Sequence, residues 1–179
     1  FGLNMVVYKG KTIFVGDTSV HEYPTSEQMA EIAISTARVV RLFGFEPKVA
    51  FVSHSTFGQP LTSRTKHIRK AVDILKEQKV DFEFDGDMQP DVALNSEYKE
   101  LYPFSNIVGK ANILIMPGQH SAAISYKMMK TLGDTKVIGP LLIGLGLPIE
   151  IAPLRSSTSE LINLASVAAY SADIIDYKK

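Results

Sequence analysis

The chain has 179 residues with 19 Lys and Arg against 19 Asp and Glu, so its formal net charge is zero. That length suits one domain or part of a larger one, and the 45% apolar and 21% charged shares exclude a disordered chain. The neutral balance leaves no electrostatic footprint for nucleic acid or an acidic membrane, and the lack of cysteine excludes thiol catalysis and Cys-ligated zinc or iron–sulfur clusters.

Phe1 is not an initiator methionine, so the chain is expected to be part of something longer, and the absence of cysteine suits a reducing cytoplasm. The most apolar stretch, residues 137–153, is too short to span ~30 Å of hydrocarbon and is broken by Gly139, Pro140, Gly144, Gly146 and Pro148. Neither a membrane nor a nucleic acid is an expected partner.

In chain order, residues 4–15 read as two short strands around Gly10-Lys11. Thr25 and Gln28 form a capping box that opens a helix carrying Met29, Ile32, Val39, Val40 and Phe43, with Gly44 as its stop. Residues 48–52, KVAFV, are a continuous apolar run of the kind buried on both faces of a sheet. A second helix fits 62–79, with Ile68, Ala71, Val72 and Leu75 on one stripe. A short strand over 82–85 leads to Asp85-Gly86-Asp87, which reads as a capped turn more readily than as a metal-binding carboxylate pair. A short helix or loop over 90–101, a strand over 111–116, a helix over 122–132 and a strand over 137–143 follow. Residues 148–151 are expected to give a last short strand. The final helix carries a Ser157/Glu160 capping box and a buried stripe of Leu161, Leu164, Ala165 and Ala168. Alternating strands and helices imply an α/β fold of three layers, α/β/α, around a mostly parallel sheet.

Ser53-His54-Ser55-Thr56-Phe57-Gly58 follows a buried strand and precedes a helix, the place where open α/β sheets hold ligands. Three hydroxyls and a glycine at a helix start can surround an anion with donors. Arg64, Lys66, Arg69 and Lys70 lie within seven residues without an acid. Positive charge in a first helical turn opposes the helix dipole at about 0.3–1 kcal/mol, a cost a bound phosphate offsets. The alternative is a polar loop followed by a solvated basic face. His54 falls inside this loop, while His21, His67 and His120 show no zinc-ligand spacing. Gly144-Leu145-Gly146 lacks the third glycine of a dinucleotide fingerprint and meets Pro148 where a helix should begin. Arg155, just before the Ser157 cap, can fork onto a phosphate or carboxylate or stand as a rim arginine in water, and Glu160 is first of all the partner of Ser157.

The signatures KVAFVSHSTFG, FEFDGDMQPDVAL, GKANILIMP, ISYKMMKTLG and VIGPLLIGLGLPIEI, in that order, resemble the C-terminal half of the phosphate acetyl/butyryltransferase family. Within it, SHSTFG looks most like the phosphotransacetylase-like domain at the C-terminus of bacterial NADP-dependent malic enzymes. The resemblance implies an isocitrate/isopropylmalate dehydrogenase-like fold and a single segment over residues 1–179. It also implies acetyl-CoA or acetyl phosphate as ligand, no cofactor in this segment, and an N-terminal malic-enzyme region of the same chain holding NADP and Mg or Mn. A homo-oligomer, dimer or higher, and a cytoplasmic location go with it. Where active family members carry a catalytic Ser and Arg before the last helix, this chain has Pro153 and Leu154, and the family's later acid falls on Glu160. The resemblance therefore implies a segment that senses acyl-CoA or acyl phosphate and assists assembly, without catalysing transfer. The alternative is an active transferase moving an acyl group between phosphate and coenzyme A, with Glu160 as its one catalytic candidate. The ligand-binding candidates are Ser53, His54, Ser55, Thr56, Gly58, Arg64, Lys66 and Arg155, and no metal-binding residue is expected.

Overall fold

Alternating apolar residues set the sheet first. In the computed structural model, which describes residues 1–174, β1 (Gly2–Tyr8) and β2 (Lys11–Gly16) form a hairpin whose turn is Lys9-Gly10, both at positive φ. The turn thus sits one residue earlier than the sequence suggests. Then come α1 (Ser26–Leu42), β3 (Lys48–Val52), α2 (Ser63–Gln78), β4 (Glu83–Met88) and α3 (Pro90–Leu94). A 3₁₀ turn over Ser96–Glu100, β5 (Ile113–Ile115), α4 (Gln119–Leu132), β6 (Thr135–Leu142) and α5 (Thr158–Ile174) complete the order. The single-segment reading runs to Lys179, and residues 175–179 lie outside the described part.

The six strands form one sheet in the order β4-β3-β5-β2-β1-β6. Pairing is parallel from β4 through β3 and β5 to β2, and β1 runs antiparallel to both neighbours. The α/β class and the mostly parallel sheet are therefore as expected. Strand periodicity sorts the core into two layers. Phe14, Val49, Phe51, Ile113 and Ile115 pack beneath α1 and α2, while Val15, Ala50, Val52, Leu114 and Met116 face α3 and α4. Thr25 caps α1 in a full capping box with Gln28. Thr62 does the same for α2, with Thr65 in the reciprocal role.

Three expectations are corrected. Asp85-Gly86-Asp87 is no turn: all three lie inside β4 and are buried. Gly86 makes this possible, because its φ is +153° and a Cβ there would stand 2.7 Å from the Phe51 side chain and carbonyl. Residues 148–151 form no strand, and one isolated bridge joins Glu150 to Leu141. On α5 only Leu164 of the expected stripe is buried, with Leu161 and Ala165 exposed. Among the described residues these side chains are left open to water.

One buried carboxylate ties the chain start to the loop after β2. Asp17 is 1% exposed at its side chain. It accepts backbone N–H groups from Gly2 at 2.8 Å, Ser19 at 3.1 Å, Val20 at 3.2 Å and His21 at 2.8 Å, with the His21 ring nitrogen Nδ1 at 2.6 Å. Burial works to raise its pKa, yet these bonds outweigh burial and hold it below its ordinary value. The folded state thus binds the proton less well than the unfolded chain. Its stabilisation is complete above the usual carboxylate range and is lost as pH falls through the lowered folded pKa. Asp17→Asn is expected to cost about 2–4 kcal/mol at pH 7 and to flatten the acid limb of the stability curve below about pH 4. Urea unfolding across pH checks both.

Candidate functional site

The loop after β3 is built around a second buried carboxylate. Asp87, fully buried near the end of β4, accepts the Ser55 hydroxyl at 2.6 Å and the Gly58 N–H at 3.2 Å on one oxygen. Its backbone carbonyl accepts Phe57 N–H at 2.7 Å. The other oxygen has no hydrogen bond and faces Arg69 Nε at 3.6 Å. Phe57 and Gly58 both take positive φ so that the loop can close on this acid.

The hydroxyls expected to meet an anion are therefore turned inward. Ser53 Oγ accepts the Ser55 N–H at 3.3 Å, Ser55 serves Asp87, and Thr56 Oγ1 accepts the Gln89 N–H at 3.2 Å. All three residues are buried, whereas the His54 side chain is exposed and its carbonyl accepts Gln89 Nε2 at 2.8 Å. An unmet buried carboxylate is costly, and the Ser55 hydroxyl and the Gly58 amide are the donors that meet this one. The first turns of α2, which follow the loop, are cationic: Arg64 and Lys66 are exposed and have no charged partner among the described residues. Asp85 holds a different loop, accepting the N–H of Gly86 at 2.9 Å and of Asn106 at 2.7 Å. The two carboxylates thus stabilise separate segments rather than facing one another across a metal site. Among the described residues no cluster of three or more His, Asp or Glu is placed to hold a metal ion.

Glu160 and Arg155 stand at the other edge of the sheet, beside β6. Glu160 accepts Lys130 Nζ at 2.6 Å and the Ser157 N–H and hydroxyl at 2.7 and 2.9 Å. The Lys130 ammonium and Ser157 bring its carboxyl down to about 2, which makes it a feeble proton acceptor near neutral pH. A narrow cleft joins Glu160 to Pro153, Lys130 and Gly139, and Arg155 does not line it. Arg155 is exposed. Nearby, burial pushes the Glu150 carboxyl up to about 7. The structure gathers Ser53, Ser55 and Gly58 around Asp87 and sets Phe57 in one groove with Lys66, while Glu160 lies by β6 at the opposite edge of the sheet. Asp87 and Gln89 are the members of the loop site that the sequence did not offer as anion-site residues, Asp87 showing only in the acid-Gly-acid motif and Gln89 not at all. Arg69 was visible only as part of the basic run.

A family model described as phosphate acetyl/butaryl transferase matches residues 2–169. The chain belongs to that family. An NADP-dependent malic enzyme from Rhizobium meliloti is 47% identical over 171 residues, 96% of this chain and 22% of the relative. A phosphate acetyltransferase from Clostridium acetobutylicum is 35% identical over 162 residues, 89% of this chain and 49% of the relative. The phosphotransacetylase from Streptococcus pyogenes superposes at a TM-score of 0.89 with 30% identity, over 96% of this chain and 53% of that one. The chain thus spans under a quarter of such malic enzymes and about half of such transferases. It is a phosphotransacetylase-like domain of the kind carried by malic-enzyme relatives, and none of its described helices is long and apolar enough to cross a membrane.

Asp87 organises the family loop in this chain. Asp87→Ala is expected to cost about 2–4 kcal/mol, because it leaves buried donors without their acceptor. It should also speed amide exchange at Phe57 and Gly58 relative to β3, read by hydrogen-exchange mass spectrometry and urea unfolding.

Proposed function

We propose that this domain senses an acyl-CoA or acyl phosphate and assists assembly of a cytoplasmic NADP-dependent malic enzyme, without catalysing acyl transfer itself. The parent reaction would convert malate and NADP to pyruvate, CO2 and NADPH. Its NADP and its Mg or Mn would be held by a region of the protein outside this chain. The observation that carries the reading is Pro153 and Leu154 at the positions where the resemblance expects Ser and Arg. Both are exposed, and Pro153 contributes only its carbonyl, to Ser156 N and Oγ at 3.0 and 2.7 Å. Neither side chain can assist a thiol or steady the charge of a tetrahedral intermediate, an effect commonly worth several kcal/mol of barrier. Glu160, held by Lys130 and Ser157, is poorly suited to take their place.

The anion of the acyl ligand would meet Arg64 and Lys66 at the start of α2, with the exposed His54 of the preceding loop as a further candidate. A regulator must bind one state of the assembly better than another, typically by 1–3 kcal/mol, and a homo-oligomer supplies such states. The second reading, an active phosphate acyltransferase, draws on Glu160 standing where the family's acid stands. Acetyl transfer between acetyl phosphate and coenzyme A is expected to stay at the uncatalysed rate in the purified full-length protein. Turnover clearly above that rate and abolished by Glu160→Ala would overturn the reading. Acetyl phosphate should bind the native protein in calorimetry and bind an Arg64→Ala/Lys66→Ala variant at least about tenfold more weakly. Equal affinity in both would remove these cations from the site.

A further inference from the structure

Between α2 and the edge strand β4 lies a groove of about 640 Å³ that shares only Lys66 with the acyl-phosphate reading. That size falls within the range of small-molecule sites, ~300–1,000 Å³. One wall is the outer face of α2, where Lys66, Arg69, Lys70 and Lys76 line the space. The opposing lip is aromatic. Phe57 and Phe104 line the groove, their ring centroids 4.8 Å apart and nearly edge to face, and Tyr102 backs Phe57 at 5.5 Å.

The lining acids are Asp73 and Asp85, against four cations. Asp85 is turned to the backbone of Gly86 and Asn106. Asp73 is paired with Lys76 at 3.3 Å and Lys70 with Glu27 at 2.7 Å, both at exposed positions where such pairs exchange readily for a ligand. Lys66 has no partner among the described residues. Arg69 is held in place: buried Asp87 faces its Nε, and its Nη1 lies 2.9 Å from where a Gly58 Cβ would stand. A glycine is what lets the guanidinium lie against the loop.

Clustered, partly uncompensated cations recognise phosphate oxygens, and a fixed guanidinium adds directional donors. The edge-to-face pair leaves Phe104 64% exposed, a flat apolar surface on which a planar ring can stack. A solvated basic helix face accounts for the lysines but not for the aromatic lip opposite them. We infer that this groove binds a nucleoside diphosphate, its base stacked on Phe104 beside Phe57 and its diphosphate against Lys66, Arg69 and Lys76. The diphosphate moiety of a free nucleotide, of coenzyme A or of a nicotinamide dinucleotide carries the same chemistry.

Calorimetric titration of the full-length protein with ADP, inorganic pyrophosphate and adenosine tests the inference. ADP is expected to bind more tightly than either fragment. Phe104→Ala should weaken ADP by at least about fivefold and leave pyrophosphate unchanged, as loss of stacking does. Lys66→Ala/Lys76→Ala should weaken ADP and pyrophosphate alike by at least about tenfold. These positions are exposed, and matching thermal unfolding curves confirm that each variant is folded. Displacement of ADP by coenzyme A or by NADPH identifies the source of the diphosphate. No ADP binding to the native protein, or ADP affinity unmoved in both variants, overturns the inference. A protein that binds ADP here but does not bind acetyl phosphate keeps the groove and loses the acyl-phosphate reading.

Discussion

A carboxylate taken out of water must be met by donors, and in this chain that requirement shapes the carboxyl-terminal end of the sheet. Asp87 draws the Ser55 hydroxyl and the Gly58 amide onto one oxygen and faces Arg69 with the other. From that follow the positive φ of Phe57, the inward turn of the hydroxyls and the placement of an arginine over Gly58. Asp17 does the same at the end of β2, collecting four backbone amides and the His21 ring. Two buried acids thus hold the loops that an α/β sheet of this class presents to ligands.

The functional consequence is a division of the molecule. At the β3–β4 edge, a tethered loop leaves cations outward. At the β6 edge, the acid that the resemblance would make catalytic is clamped by Lys130 and its own helix cap. A carboxylate so well paired resists protonation and gives little general-base help at neutral pH. The cations of α2 and the Glu160 carboxylate therefore sit at different edges of one sheet.

Much of the fold was legible because its signals are local. The Thr25/Gln28 and Ser157/Glu160 boxes fix helix starts within four residues of sequence, and KVAFV reads as a doubly buried strand from its own composition. What escaped is long-range. Ser55 and Asp87 are 32 residues apart, so nothing local says that a serine in an anion-like loop will serve a carboxylate instead. Asp85-Gly86-Asp87 has turn composition, and only the packing of Phe51 against Gly86 shows why a glycine belongs inside a strand there. The α5 stripe has helical periodicity, which marks an apolar face but cannot say which element covers it.

Hydrogen exchange of the full-length protein, with and without acetyl phosphate, separates the two edges most directly. The account predicts slowed exchange at residues 57–66, where the tethered loop meets α2, and unchanged exchange at residues 153–160. Protection confined to residues 153–160 would place the ligand on the transferase edge and contradict it.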